Sequence, residues 1–365
     1  MTRKLWLLDA HCDSFEMRNF LKHEFDLSKS KLFIQKTVLN FLNDSFKTEF
    51  PAKTVNNYHV TFSRLATGHV KVLFLNIGDY DFLSSSKMLN AAYELVNKYP
   101  HKIVIGRNKN EILRSIQQNK LILVLSVEGP IIFQGQIDLM EHWHRLGVRV
   151  INLSHGEGTQ GFAHNAKIIY KELEQTALHC SLQVTTSAEC YMSSEAREKL
   201  RSKERGLSEF GKRMLNKMER LNILCDLSHA NDAAFWETLE TTSGKVCVTH
   251  SNCSSLCPHT RNLTDAMMTA LAEHNGVMGL CFYGPYISEH KPSLKLFVEH
   301  VLHALSVMGP DHVGIGSDFD GVQPGAFMAI PHPGHINDLW EALDKAGVNQ
   351  KTLKKIAHEN FLRLM

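Results

Sequence analysis

Eight short apolar runs recur along the chain, most of them followed by a stretch of helical periodicity, and this alternation restricts the fold more than any other feature. The runs are LWLL (residues 5–8, breaking into DAHCD), KVLFLNIGD (71–79), LILVLSVEG (121–129), VRVINLSHG (148–156), ILCDLSHAN (223–231), KVCVTHSN (245–252), GVMGLCFYG (276–284) and HVGIGSDFDG (312–321). Each is too apolar to leave one face in water, so each must be covered by helices on both sides of a parallel sheet. Eight such units close most naturally into an α/β fold of the (β/α)8 TIM-barrel type.

Helix signals support the alternation. Helical stretches are expected near residues 87–98 and 137–146. Ser208 stands as an N-cap before Met214, Leu215, Met218 and Leu221 at helical spacing, a packing stripe rather than a reactive one. Asn231 caps a helix running to Gly244, Thr264 caps one that carries Met268 and Leu271, and helices over about 337–345 and 351–364 close the chain. Residues 14–58, with a helix expected near 31–42 and a break at Pro51, and residues 157–205 read as elaborated connections within one domain spanning 1–365.

In a parallel barrel, chemistry sits where strands end. Here His11 and Asp13, Glu128, His155, His229, His250 and Asp318 all fall at the C-terminal ends of predicted strands, so closing the barrel gathers them on one face. Side chains alternate along an extended chain, which points His11 and Asp13 to one side and Cys12 to the other. Singly, each residue has an ordinary structural explanation: a cap, a turn or a hydrogen bond at the barrel mouth. Together, several imidazoles and carboxylates at one mouth are costly unless a cation compensates them.

Nitrogen and carboxylate ligands without a thiolate favour zinc, with other divalent metals as substitutes. Three histidines and two carboxylates exceed one tetrahedral site, so the set leans toward two Zn2+ ions about 3.5–4 Å apart with a nucleophilic hydroxide between them. Such a centre hydrolyses. Asp318 is then free to move protons, and His155 to stabilise an oxyanion.

Forty basic residues against thirty-eight acidic ones give a net charge of +2, so neither nucleic acid nor an anionic membrane is an expected partner. The apolar stretch behind the N-terminus is too short for a signal-peptide core and no run reaches membrane-span length, so a soluble, cytoplasmic protein is expected. Of the eight cysteines, Cys12, Cys225, Cys247 and Cys281 lie in or beside strands and read as buried free thiols. Cys253 and Cys257 have a spacing that invites zinc, but no second pair stands nearby.

Longer segments carry a resemblance. RGLSEFGKRMLNKMERLNILCDLSHAN (205–231), VTHSNCSSLCPHTRNLTDAMMTALAEHNGVMGLCFYGPYI (248–287), VGIGSDFDG (313–321) and KIAHENFLRL (355–364) resemble the membrane dipeptidase (renal dipeptidase) family of zinc metallopeptidases. The resemblance implies that His11, Asp13 and Glu128 bind one zinc, and that Glu128 bridges to a second held by His229 and His250. It implies that His155 polarises the scissile carbonyl and that Asp318 handles the proton of the attacking water and of the leaving amine. It also implies that Arg261, in HTRN, anchors the free carboxylate of a dipeptide, that a D-residue is accepted at the C-terminal position, and that two copies pair in a homodimer. A guanidinium fork suits a carboxylate. Tyr283, in FYG, is a weaker candidate for the pocket wall.

The departures surround the site. Cys12 stands where relatives commonly carry asparagine, SFEMRNF follows Asp13, and GEGTQGFAHNA follows His155 in place of an asparagine-rich loop. The alternatives to a dipeptidase are a binuclear barrel hydrolase of another small amide, lactam or ester, and a non-catalytic metal-binding protein; loss of a ligand or of Asp318 would favour the last, and none is lost.

Overall fold

Parallel strands ring the centre of the computed structural model, which describes residues 5–13, 59–78, 82–155, 195, 197, 198, 206–322 and 326–365. Among the described residues there are nine: β1 (Leu7–Asp13), β2 (Val70–Asn76), β3 (Ile103–Ile105), β4 (Leu121–Val127), β5 (Val148–Asn152), β6 (Leu224–Asp226), β7 (Val246–Ser251), β8 (Val277–Leu280) and β9 (Val313–Ile315). β1 pairs with β2 and β9, β2 pairs with β4, and β4 to β9 follow one another. Eight strands thus close a (β/α)8 barrel.

The ninth strand corrects the count read from the sequence. β3 pairs only with the start of β4, Ile103 opposite Leu121, while β5 joins β4 farther along, Val148 opposite Leu125. It fills the edge that β5 leaves open. Three residues give no period to read, which is why IVI escaped notice. Helices Phe62–Thr67 and Lys109–Gln117 were likewise unexpected. The last expected helix is three pieces: α-helix Gln350–Lys354, a π-helical turn Lys355–Glu359, and α-helix Asn360–Leu364.

Capping explains where the other helices begin. Ser208 Oγ accepts from Gly211 N at 2.9 Å, Asn231 Oδ1 from Ala234 N at 2.8 Å, and Thr264 Oγ1 from Met267 N at 3.2 Å. Each satisfies an N–H that the helix itself leaves open, worth about 1 kcal/mol. The helix after Asn231 ends at Thr241, short of Gly244, because its C-cap Thr242 is already extended. The expected helix over 31–42 lies outside the described residues.

Two cores follow from strand alternation. Inside the ring, Leu8, Ala10, Val72, Phe74, Ile122, Val124, Val150, Leu224, Cys247 and Val277 pack together, and Phe361, Leu362 and Leu364 of the final helix join them. Phe361 reaches the ring because β9 carries Gly314, whose place for a Cβ lies 2.5 Å from the phenyl carbons. Outside, Met214, Met218, Trp143, Phe235 and Phe297 pack the helices onto the strands. Cys12 belongs to this outer core, and the register of β1 against β2 shifts between Asp9 and Cys12. The six described cysteines are buried free thiols. Those of Cys253 and Cys257 contact the carbonyls of His300 and Pro285, and neither joins a metal-holding group among the described residues.

Candidate active site

Backbone shape at the strand ends aims the polar side chains. His11 and Asp13 close β1, Glu128 follows β4 directly, and His250 lies within β7. His229 and Asp318 each sit three residues past a strand, in left-handed conformation with φ of 66° and 61°. Such angles are uncommon outside glycine and turn the chain sharply back over the mouth. Gly321 lets this last turn come close: a Cβ there would lie 2.1 Å from Asp13 Oδ2 and 2.3 Å from Asp318 Oδ1. From below, buried Asp9 accepts from the backbone and hydroxyl of Ser317 at 2.8 and 2.6 Å, tying β1 to the Asp318 loop.

Glu128 is the focus. Its Oε1 lies 3.6 Å from His11 Nε2, 3.1 Å from His229 Nε2 and 3.4 Å from His250 Nε2, and its Oε2 lies 3.8 Å from His155 Nε2. The Nε2 atoms of His229 and His250 are 2.9 Å apart. His11 Nε2 is also 3.6 Å from Asp13 Oδ2 and 4.0 Å from Asp318 Oδ1. All seven strand-end residues singled out in the sequence therefore meet at one mouth. His155 stands at its edge, with 31% of its side chain exposed.

The electrostatics are divided. Burial disfavours a charged His11, yet Glu128, Asp13 and Asp318 around it raise its imidazole well above the usual range. Burial, reinforced by the Arg261 guanidinium, pushes His229 and His250 well below it, so both present neutral rings. Burial also works against a charged Glu128, but the imidazoles of His155, His11 and His229 hold it well below the ordinary carboxylate range. Asp318, buried beside Asp13 and Glu128 and only partly relieved by His11, rises to about 7. A group raised this far exchanges protons readily near neutrality.

The donor set fits divalent metal. His11 Nε2 is buried with no hydrogen-bond partner, an expensive omission for an imidazole nitrogen unless something else is meant to meet it. His11, Glu128 and His250 form one group with ligand atoms mutually within 4.8 Å, Glu128, His155 and His229 a second, and His11, Asp13 and Asp318 a third. Only Glu128 and His11 recur, which places them between the groups.

Arg261 and two tyrosines line one side. Arg261 Nη2 donates to the His250 carbonyl at 3.3 Å, while its Nε is buried without a partner. Its guanidinium lies 5.4 Å from the centre of the Tyr286 ring. Tyr283 packs edge-on against Tyr286 with ring centres 4.9 Å apart. Tyr283, singled out in the sequence, thus stands beside Tyr286, a ring the sequence did not single out and over which the Arg261 guanidinium lies. Asn76 was also overlooked: its amide donates to Asp13 Oδ1 at 3.0 Å and Glu128 Oε2 at 3.1 Å. The signal was there, since Asn76 is the polar residue at the end of an apolar strand, as the histidines are. Arg197, from the long connection, pairs with Asp232 at 2.7 and 2.9 Å and donates to the Asn262 carbonyl at 2.8 Å, next to Arg261.

The family model for membrane dipeptidase (peptidase family M19) matches residues 3–180 and 168–365, which together span almost the whole chain. The chain belongs to this family. Dipeptidase tcpJ of Claviceps purpurea (strain 20.1) is 23% identical to it over 325 residues, 84% of this chain and 68% of that protein. Dipeptidase verJ of Clonostachys rogersoniana is 26% identical over 298 residues, 81% of this chain and 68% of that protein. A metallo peptidase from Rhodobacter sphaeroides, solved with a phosphinate mimic of the dipeptide L-Ala-D-Ala, shares the fold at a TM-score of 0.74 and 20% identity, covering 99% of both chains. Membership makes the chain a hydrolase, a metallopeptidase of the dipeptidase family. No described helix is long and apolar enough to cross a membrane.

Proposed function

We propose that this chain hydrolyses dipeptides with a pair of zinc-group ions, one held by His11, Asp13 and Glu128 and the other by Glu128, His229 and His250. The observation that supports two ions is the position of Glu128, whose Oε1 is 3.6 Å from His11 and 3.1 and 3.4 Å from His229 and His250. A carboxylate shared in this way serves both sides. When bound, the ions supply Lewis acidity and a water acidified enough to attack at neutral pH.

The chain's own residues do the rest. Asp318, its carboxyl raised to about 7, takes the proton of the attacking water and returns it to the leaving amine. His155, partly exposed at the rim, reaches the scissile carbonyl and steadies its oxygen. Arg261, with Nε unengaged and its plane set against Tyr286, receives the substrate's free carboxylate. Tyr283 and Tyr286 form the wall beside the C-terminal residue, where a D-residue is accepted as well as an L-residue. Asn76 holds Asp13 and Glu128 in place with one amide.

A panel of L,L and L,D dipeptides, with free and blocked termini, tests the reading alongside metal analysis of the purified protein. The expected result is about two zinc-group ions per chain and turnover that falls on blocking the C-terminal carboxylate by about tenfold to a hundredfold, the worth of a charged hydrogen bond. Full activity in metal-free protein would sink the mechanism. An unchanged rate with the carboxylate blocked would remove Arg261 from its role.

A further inference from the structure

Asp226 closes β6, three residues before His229, and five donors converge on its buried carboxylate. At Oδ1 these are the backbone N–H of Ser228 at 2.9 Å, that of Thr249 at 2.9 Å and the Ser228 hydroxyl at 2.8 Å. At Oδ2 they are the Thr249 hydroxyl at 2.5 Å and the Asn152 amide at 3.3 Å. Such a carboxylate only accepts.

Thr249 Oγ1 also lies 2.9 Å from Nδ1 of His250. A hydroxyl has one proton to give, and the charged oxygen of Asp226 is its nearest acceptor. The other hydroxyl in reach, Ser228 Oγ at 3.2 Å, has its own proton engaged at Asp226 Oδ1. Thr249 Oγ1 is therefore left to accept, and His250 must donate to it from Nδ1. That leaves Nε2 bare, facing Glu128 Oε1 at 3.4 Å.

We infer that Asp226, Thr249 and His250 form a relay in which a residue that binds no metal fixes the tautomer and plane of a residue that does. The inference rests on the metal-binding reading above and deepens it. Asp226 and Thr249 are positioning residues: they set the affinity of the metal position shared by His229 and His250, without touching substrate. The same carboxylate governs the backbone of both histidines, since Ser228, held by Asp226, accepts from the His250 N–H at 3.1 Å and directly precedes His229. Without the hydroxyl at 249, the ring is free to carry its proton on Nε2, where it opposes a cation.

Competition titration of zinc into metal-free, full-length protein tests this on wild type, Thr249→Val and Thr249→Ser. Thr249→Val is expected to weaken one of the two sites about 10- to 100-fold and leave the other unchanged, whereas Thr249→Ser, which restores the hydroxyl, stays within about threefold of wild type. Unchanged affinity in Thr249→Val, or an equal loss in Thr249→Ser, overturns the relay. Should Thr249→Val fail to fold by circular dichroism, nitrogen-15 shifts of His250 in metal-free wild type, assigned against His250→Gln, decide the matter. A proton on Nδ1 supports the relay and a proton on Nε2 refutes it. Wild-type protein that binds no zinc counts against the metal reading instead, and the same shifts then test the relay alone.

Discussion

The two ends of the barrel are made from the same strands and are opposite in kind. At the N-terminal end, Phe361, Leu362 and Leu364 close an apolar core, with Phe361 edge-on to Phe74 at 5.8 Å between ring centres. The polar groups buried there are satisfied: His358 Nδ1 donates to the Trp6 carbonyl at 2.9 Å while its ring stacks on Trp6 at 3.7 Å, and the Asn360 amide reaches the carbonyls of Pro310 and Val313. At the C-terminal end, Asp13, Glu128 and Asp318 crowd together and His11 Nε2 and Arg261 Nε lack partners. One end supplies stability, and the other holds polar groups in a state that costs stability until something binds.

That contrast can be broken from either side. The largest effect is expected at the floor. Phe361→Ala removes a ring from a closely packed cluster and should lower unfolding stability by about 3–5 kcal/mol in denaturant titrations, with turnover per folded molecule unchanged. A loss below about 1 kcal/mol would mean that the floor is not what holds the ring of strands together.

At the mouth the expected effect reverses its target. Asp318→Asn should cost about a hundredfold or more in turnover with metal content kept, and should leave stability equal or higher because a buried charge no longer opposes Asp13 and Glu128. Turnover within about tenfold of wild type would remove Asp318 from proton transfer.

The smallest effect sharpens the comparison through pH. Burial pulls His358 down from its ordinary 6.5 to about 4, so its contribution to stability is present above pH 6.5 and is lost as pH falls toward 4. His358→Phe keeps the stacking and should flatten the stability profile between pH 6.5 and 5 by about 1–2 kcal/mol relative to wild type. Parallel profiles for the two proteins would show that the floor is indifferent to this proton.

Much of the fold was legible because burial on both faces leaves long apolar runs, and such runs announce themselves in a sequence. The strand-end residues were legible for the related reason that His11, Glu128, His229 and His250 interrupt apolar stretches. β3 was not, because three residues carry no period, nor was the π-helical turn, which shifts the register of an otherwise continuous helical pattern. Arg261 lies in a loop and was brought forward only by resemblance. Asn76, Asp226 and Thr249 were passed over because amides, carboxylates and hydroxyls at strand ends are common, and their importance depends on what stands opposite. Residues 14–58 and most of 157–205, read as elaborated connections, lie outside the described residues.

By itself the sequence determined the unit of construction, an apolar strand with a helix behind it and a polar residue where it ends, because alternation and burial are written in residue order. Only the tertiary structure decided which polar residues share a mouth and which of their atoms face one another. Glu128 becomes common to two groups of histidines, Tyr286 comes to lie against Arg261, and Asp226 comes under His250, through contacts between residues far apart in the chain. Local pattern holds no record of such distances; they arise only when the barrel closes.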